Sequence, residues 1–108
     1  MTFGEALERM KDGAFVSREG WNGKDAFIYI VEGSEQDYTK LRGRAQKAAA
    51  YAYRLAGLSE ENLRTIPTPI KPHIDMFTQK KEIVCGWVAS QEDLEANDWY
   101  VREYAQNC

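Results

Sequence analysis

The sequence predicts an α+β fold: a small antiparallel sheet with an N-terminal helix, an inserted helix and a short helix in the C-terminal region. Three observations predict it. Apolar residues recur at helical spacing at the start of the chain. Strand-like runs come in adjacent pairs, not alternating one by one with helices as a parallel sheet requires. A single alanine-rich stretch of high helix propensity separates the two pairs. At 108 residues the chain suits one domain, and we read 1–108 as that domain, carrying a helical insertion at about 33–69.

Residues 2–12 form the first predicted helix. Thr2 and Glu5 have capping-box spacing, and Phe3, Ala6, Leu7 and Met10 line one stripe. Gly13 is placed to end it in a left-handed cap. Ala14–Arg18 and Ala26–Val31 then read as a hairpin, with Asn22-Gly23 suited to the positive φ of a tight turn. Both faces of the second run are apolar, Phe27, Tyr29 and Val31 on one and Ala26, Ile28 and Ile30 on the other, so that strand is expected to be central or covered on both sides.

Residues 32–39 read as a polar connector. A helix follows over 43–56, with Leu41, Ala45, Ala48, Ala52 and Leu55 as its apolar stripe and Lys40, Arg44, Lys47, Tyr51 and Arg54 as its cationic one. Ser59 and Asn62 suggest a further short helix, and Pro67, Pro69 and Pro72 enforce extended chain. Residues 73–77 and 82–87 read as a second hairpin. Ser90 caps a short helix with Asp93 at its third position and Leu94 directed inward; 98–104 is the last strand.

The formal net charge of −3 argues against bulk binding of DNA or RNA, which needs a basic excess. Charge is unevenly spread, however: from residue 38 to 54 there are five basic residues and no acidic one. That pattern fits either a solvated helix face or a site for a small anion. Residues 1–13 are amphipathic and charged, so no secretory signal is expected, and no run is long enough to span a membrane. Cys85 and Cys108 make no disulfide framework, and free thiols in a reducing cytoplasm are the expectation. In a domain this small, a sizeable ligand must sit at the surface or between subunits.

The sole histidine, His73, shares a strand face with Asp75. Such a pair is either a base with its orienting carboxylate or a structural or ligand-contact pair. His73, Cys85 and Cys108 lack metal-site spacing, and neither a phosphate-binding glycine loop nor a nucleophile elbow is present, so no metal and no cofactor are expected. The three tryptophans fall at predicted element ends. Trp99 suits the core. Trp21 stands among Arg18, Asn22 and Lys24, a stacking plane beside a guanidinium and an amide, which is what a purine nucleotide needs.

Four runs together resemble the second type of Thoeris anti-defence protein: Thr2–Leu7, Arg18–Lys24, Pro72–Met76 and Trp87–Trp99. They cover both ends of the chain and both hairpins in order, while 33–69 fits least well. The resemblance implies a phage or prophage protein that binds, without cleaving, the glyco-cyclic ADP-ribose signals of TIR-domain immune enzymes. It implies a homotetramer with pockets between subunits, and a separate site for cyclic dinucleotides in some members. Carried onto this sequence, it makes Trp21, Asn22, His73, Asp75, Trp87, Ser90 and Asp93 ligand-binding candidates, with Arg18 and Lys24 the nearest cations. Ser90 and Asp93 have an equal explanation as helix caps. Lys40, Arg44, Lys47, Tyr51 and Arg54 are candidates for a second anionic site. Two other classes stand beside this one: an inhibitor that binds a protein of the immune system, and an enzyme that degrades the signal with His73 as acid or base.

Overall fold

Phe3, Ala6, Leu7 and Met10 lie along one side of helix α1 (Phe3–Lys11), where Ala6 is fully buried and Met10 is 2% exposed. The capping box forms as its spacing predicts: Thr2 Oγ1 accepts from the Glu5 amide at 3.2 Å, and Glu5 Oε1 accepts from the Thr2 amide at 3.0 Å. Gly13 follows at φ 97°, its amide closing the last turn on the Met10 carbonyl at 2.9 Å. The structure, a computed structural model, describes residues 1–22, 25–37 and 40–105. Gly23 of the predicted tight turn, the candidate cation Lys24, and Cys108 lie outside the described residues.

The chain divides into two compact units, Met1–Val31 with His73–Cys108, and Glu32–Pro72. In the first, β1 (Ala14–Arg18), β2 (Phe27–Val31), β5 (His73–Phe77), β6 (Ile83–Val84) and β7 (Trp99–Tyr104) form one sheet. Its order is β6-β5-β2-β1-β7, every neighbouring pair antiparallel. β2 is central, the first of the two placements that its apolar faces allow. One face carries the core, where Ala14, Val16, Ile28 and Trp99 pack with Ala6 and Met10 of α1. Burying side chains such as Met10 and Ile28 contributes about 1.5–3 kcal/mol each. The other face carries an aromatic layer: Phe27 stacks on Phe77 at 5.7 Å, and Phe15 lies 5.1 Å from Phe27.

In the second unit, β3 (Ser34–Asp37) pairs with β4 (Pro67–Ile70), and α2 (Arg44–Leu55) and α3 (Glu60–Thr65) connect them. Pro67 stands opposite Asp37 and Pro69 opposite Glu35. Neither proline has an N–H, so both occupy positions whose nitrogens point away from β3.

Four expectations are corrected. The connector 32–39 contains strand β3, whose polar sequence lacks apolar alternation and is held extended by its proline-stiffened partner. The run 82–87 supplies only Ile83–Val84, because Gly86 takes φ 79° and turns its amide to the Asp75 carboxylate at 2.9 Å. On α2, Ala45, Ala48, Ala52 and Leu55 are exposed, and the helix packs through Gln46, Ala49, Ala50 and Tyr53 instead. A tyrosine ring covers more area than alanine methyls, and Tyr53 Oη also bonds Thr68 Oγ1 at 2.8 Å. In α4 (Gln91–Glu95), Asp93 is buried and Leu94 is 55% exposed, because the carboxylate takes the inward position.

Candidate functional site

Strand β1 ends at Arg18, opposite Trp99 and on the same side of the sheet as Val16 and Ala14. Alternation along β1 therefore delivers a guanidinium to the edge of the core face. Two carboxylates meet it there. Arg18 Nε donates to Asp98 Oδ1 at 2.9 Å, and Nη1 donates to Asp93 Oδ1 at 2.8 Å. Charge-assisted bonds of this kind are about twice as strong as neutral ones, and the Arg18 side chain is only 15% exposed.

Asp93 is the hub. Its Oδ1 also accepts the Trp21 indole N–H at 3.0 Å, and its Oδ2 accepts the Ser90 amide at 3.0 Å. The Ser90 hydroxyl accepts the Asp93 amide at 3.1 Å, which completes the capping box of α4. The Asp93 carbonyl takes the Trp99 indole N–H at 2.9 Å. Burial alone would raise the Asp93 carboxyl; the bonds from Arg18, the Ser90 amide and Trp21 outweigh it and hold the group at about 2. Arg18 and the Gly20 amide likewise hold the Asp98 carboxyl below its ordinary value.

The loop after β1 is tied to the same carboxylates. The Gly20 amide donates to Asp98 Oδ2 at 2.8 Å, and a Cβ at Gly20 would lie 2.9 Å from that oxygen. Only glycine allows so close an approach. Trp21 is thereby held half-buried, edge-on to Trp99 at 5.2 Å and to Trp87 at 6.2 Å. Phe3 packs on Trp99 at 5.2 Å and on Trp87 at 6.2 Å, so four aromatic rings form one cluster, tied to Asp93 through the indoles of Trp21 and Trp99.

Five predicted site residues, Arg18, Trp21, Trp87, Ser90 and Asp93, thus come together. Asn22 follows Trp21 and is exposed. His73 and Asp75 do not join them. They pair with Val31 and Tyr29 of β2, on the face opposite the core. There His73 Nε2 stands 3.4 Å from Asp75 Oδ1, and burial, Asp75 and Cys85 together raise the Tyr29 hydroxyl. Lys40, Arg44, Lys47, Tyr51 and Arg54 are all exposed, in the other unit. Sequence reasoning missed Asp98 and Gly20. Asp98 lies 80 positions from Arg18, a separation with no local signature, and only the glycine beside Trp21 hinted at a close approach.

Chemically, the cluster offers aromatic surface and committed carboxylates, with its guanidinium neutralised from within. Among the described residues no group of His, Cys, Asp and Glu is arranged to hold a metal, and no helix is long and apolar enough to cross a membrane.

A family model described as the Thoeris anti-defense 2-like domain matches residues 1–102. The chain is 32% identical over 99 residues to Thoeris anti-defense 2 of Bacillus phage SP01, an alignment covering 92% of this chain and 91% of that one.

Proposed function

This chain belongs to the Thoeris anti-defense 2-like family, and from that premise we propose that it counters a bacterial immune system by binding and sequestering a cyclic ADP-ribose-type signal without cleaving it. The ligand class is glyco-cyclic ADP-ribose made by TIR-domain enzymes, and the setting is the cytoplasm of the infected cell. The protein acts as a homotetramer. The observation that carries this reading is Trp21. Its indole N–H is spent on Asp93, and it stands steeply inclined to Trp87 and Trp99 while staying only half-buried, so what it offers a partner is ring surface and not a polar bond.

A stacked base contributes about 1–3 kcal/mol, whereas capture at nanomolar affinity needs about 12 kcal/mol. The remainder must come from ribose contacts, phosphate contacts and burial between subunits. Arg18 is already paired with Asp93 and Asp98 and supplies little toward the phosphates. The exposed cations of α2, Lys40, Arg44, Lys47 and Arg54, with Tyr51, suit a second anionic ligand, for which cyclic dinucleotides are the proposed class. Titrating a cyclic dinucleotide against Arg44→Glu and Lys47→Glu tests that assignment; unchanged binding removes both residues from it.

The deciding experiment incubates the protein with glyco-cyclic ADP-ribose, removes free ligand, releases the bound fraction by heat and resolves it by chromatography. Intact ligand in fixed ratio to protein is the expected result. Degraded ligand would make the protein an enzyme and bring forward His73 and Asp75. No retained ligand would leave a binder of cyclic dinucleotides alone or an inhibitor acting on a protein partner.

A further inference from the structure

Two stretches of this chain carry charge of a single and opposite sign. From residue 38 to 59 there are five basic residues and no acidic one; from 82 to 101 there are five acidic residues and no basic one. Each stretch also leaves large apolar side chains uncovered. In the first, Tyr51 is 59% and Leu55 71% exposed; in the second, Val88 is 85% and Leu94 55% exposed. Exposed apolar surface bordered by charge is the composition of an interaction patch.

The charges that face solvent can be named. Within 82–101, Asp93 and Asp98 are both bonded to Arg18, and the acidic groups of α4 that face solvent are Glu92 and Glu95. On α2, Arg44 and Lys47 share a face with Tyr51, next to the alanine stripe that the helix does not bury.

We infer that these two surfaces mate between copies of this chain: the Arg44–Lys47–Leu55 side of α2 on one copy docks on the Glu92–Leu94–Glu95 surface of the next. The assignment rests on the self-assembly proposed above, names the surfaces that produce it, and gives Arg44 and Lys47 to that contact in place of the second anionic ligand. Charge complementarity argues for a second copy as the occupant. Both halves are present on every copy in equal number, so each acidic patch meets a basic one without a further protein. Segregating the charges also offsets the repulsion between chains of net charge −3. Because every copy carries both patches, the contact is either exchanged reciprocally across a twofold axis or repeated head-to-tail around a closed ring.

Sedimentation and light scattering of the purified protein test the pairing with two charge-reversed variants, R44E/K47E and E92K/E95K. All four side chains are exposed, so both variants keep the wild-type circular dichroism. Each alone should weaken assembly about tenfold or more. An equimolar mixture should recover it, since unlike variants attract and like variants repel; salt at about 0.5 M should weaken the wild-type assembly. Recovery on mixing cannot arise from a misfolded variant. Variants that assemble like the wild type, or a mixture that stays dissociated, would overturn the surfaces while leaving self-assembly standing. A monomeric wild-type protein would overturn both.

Discussion

Trp21 and Arg18 donate to the same oxygen, Asp93 Oδ1, at 3.0 and 2.8 Å. One acceptor therefore fixes both the ring plane and the cation, and the orientation of Trp21 is a property of the folded protein before any ligand arrives. Preorganisation of this kind spares a ligand the cost of ordering the side chain.

Asp93→Asn should be among the most damaging single changes. It removes a charge from a largely buried pair and leaves Arg18 partly uncompensated, which costs about 3–5 kcal/mol. Ser90→Ala loses only the cap, about 1 kcal/mol. Urea unfolding monitored by tryptophan fluorescence should rank the two in that order; equal losses would mean that Asp93 acts only as a cap.

Acid should release the same hub. The folded-state value of Asp93, about 2, lies below the ordinary 3.8, so its contribution is fully present above about pH 4 and is lost as pH falls through 2. Asp98 is shifted in the same direction. Unfolding free energy measured between pH 5 and pH 2 should fall more steeply in the wild type than in Asp93→Asn, by about 2 kcal/mol over that window.

Trp21→Phe keeps a stacking ring but loses the bond to Asp93, whereas Trp21→Ala loses both. Under the proposed function, calorimetry with glyco-cyclic ADP-ribose should show partial loss in the first and loss of about 1–3 kcal/mol or more in the second. His73→Ala, on the opposite face of the sheet, should change affinity little. A large loss in His73→Ala with Trp21→Ala unaffected would relocate the site to that face.

The packing corrections are also measurable. Leu94→Ser, at a side chain 55% exposed on the protomer, should cost the protomer's own fold less than about 0.5 kcal/mol, whatever it does to assembly. Met10→Ala, at 2% exposed, should cost about 2–5 kcal/mol. Chemical denaturation of the two variants separates them.

Much of the fold was legible because its signals are local. The Thr2–Glu5 and Ser90–Asp93 boxes, the α1 stripe, and the β-branched and aromatic run of β2 each announce their element within a few residues. What stayed hidden depends on distant partners. Strand β3 is extended because β4 is, and the sequence Ser34–Asp37 says nothing of that. The buried face of α2 was misread because alanine repeats drew the stripe, while Tyr53, bonded to Thr68, won the packing. At the site, clustered polar and aromatic residues pointed to Trp21 and Asp93. That Arg18 is consumed by Asp98 could be learned only once the chain had closed on itself.

Pro67 and Pro69, exposed on β4 with their nitrogens turned from β3, leave that strand's outer side with carbonyls and no amide donors along its length. A neighbouring strand therefore finds half of its ladder missing and cannot zip on. Under the proposed function the protein captures its ligand without turnover, and so must accumulate in proportion to the ligand's concentration. At such loads an open sheet edge would seed fibres, and two imino acids on β4 remove one such edge without spending a charge.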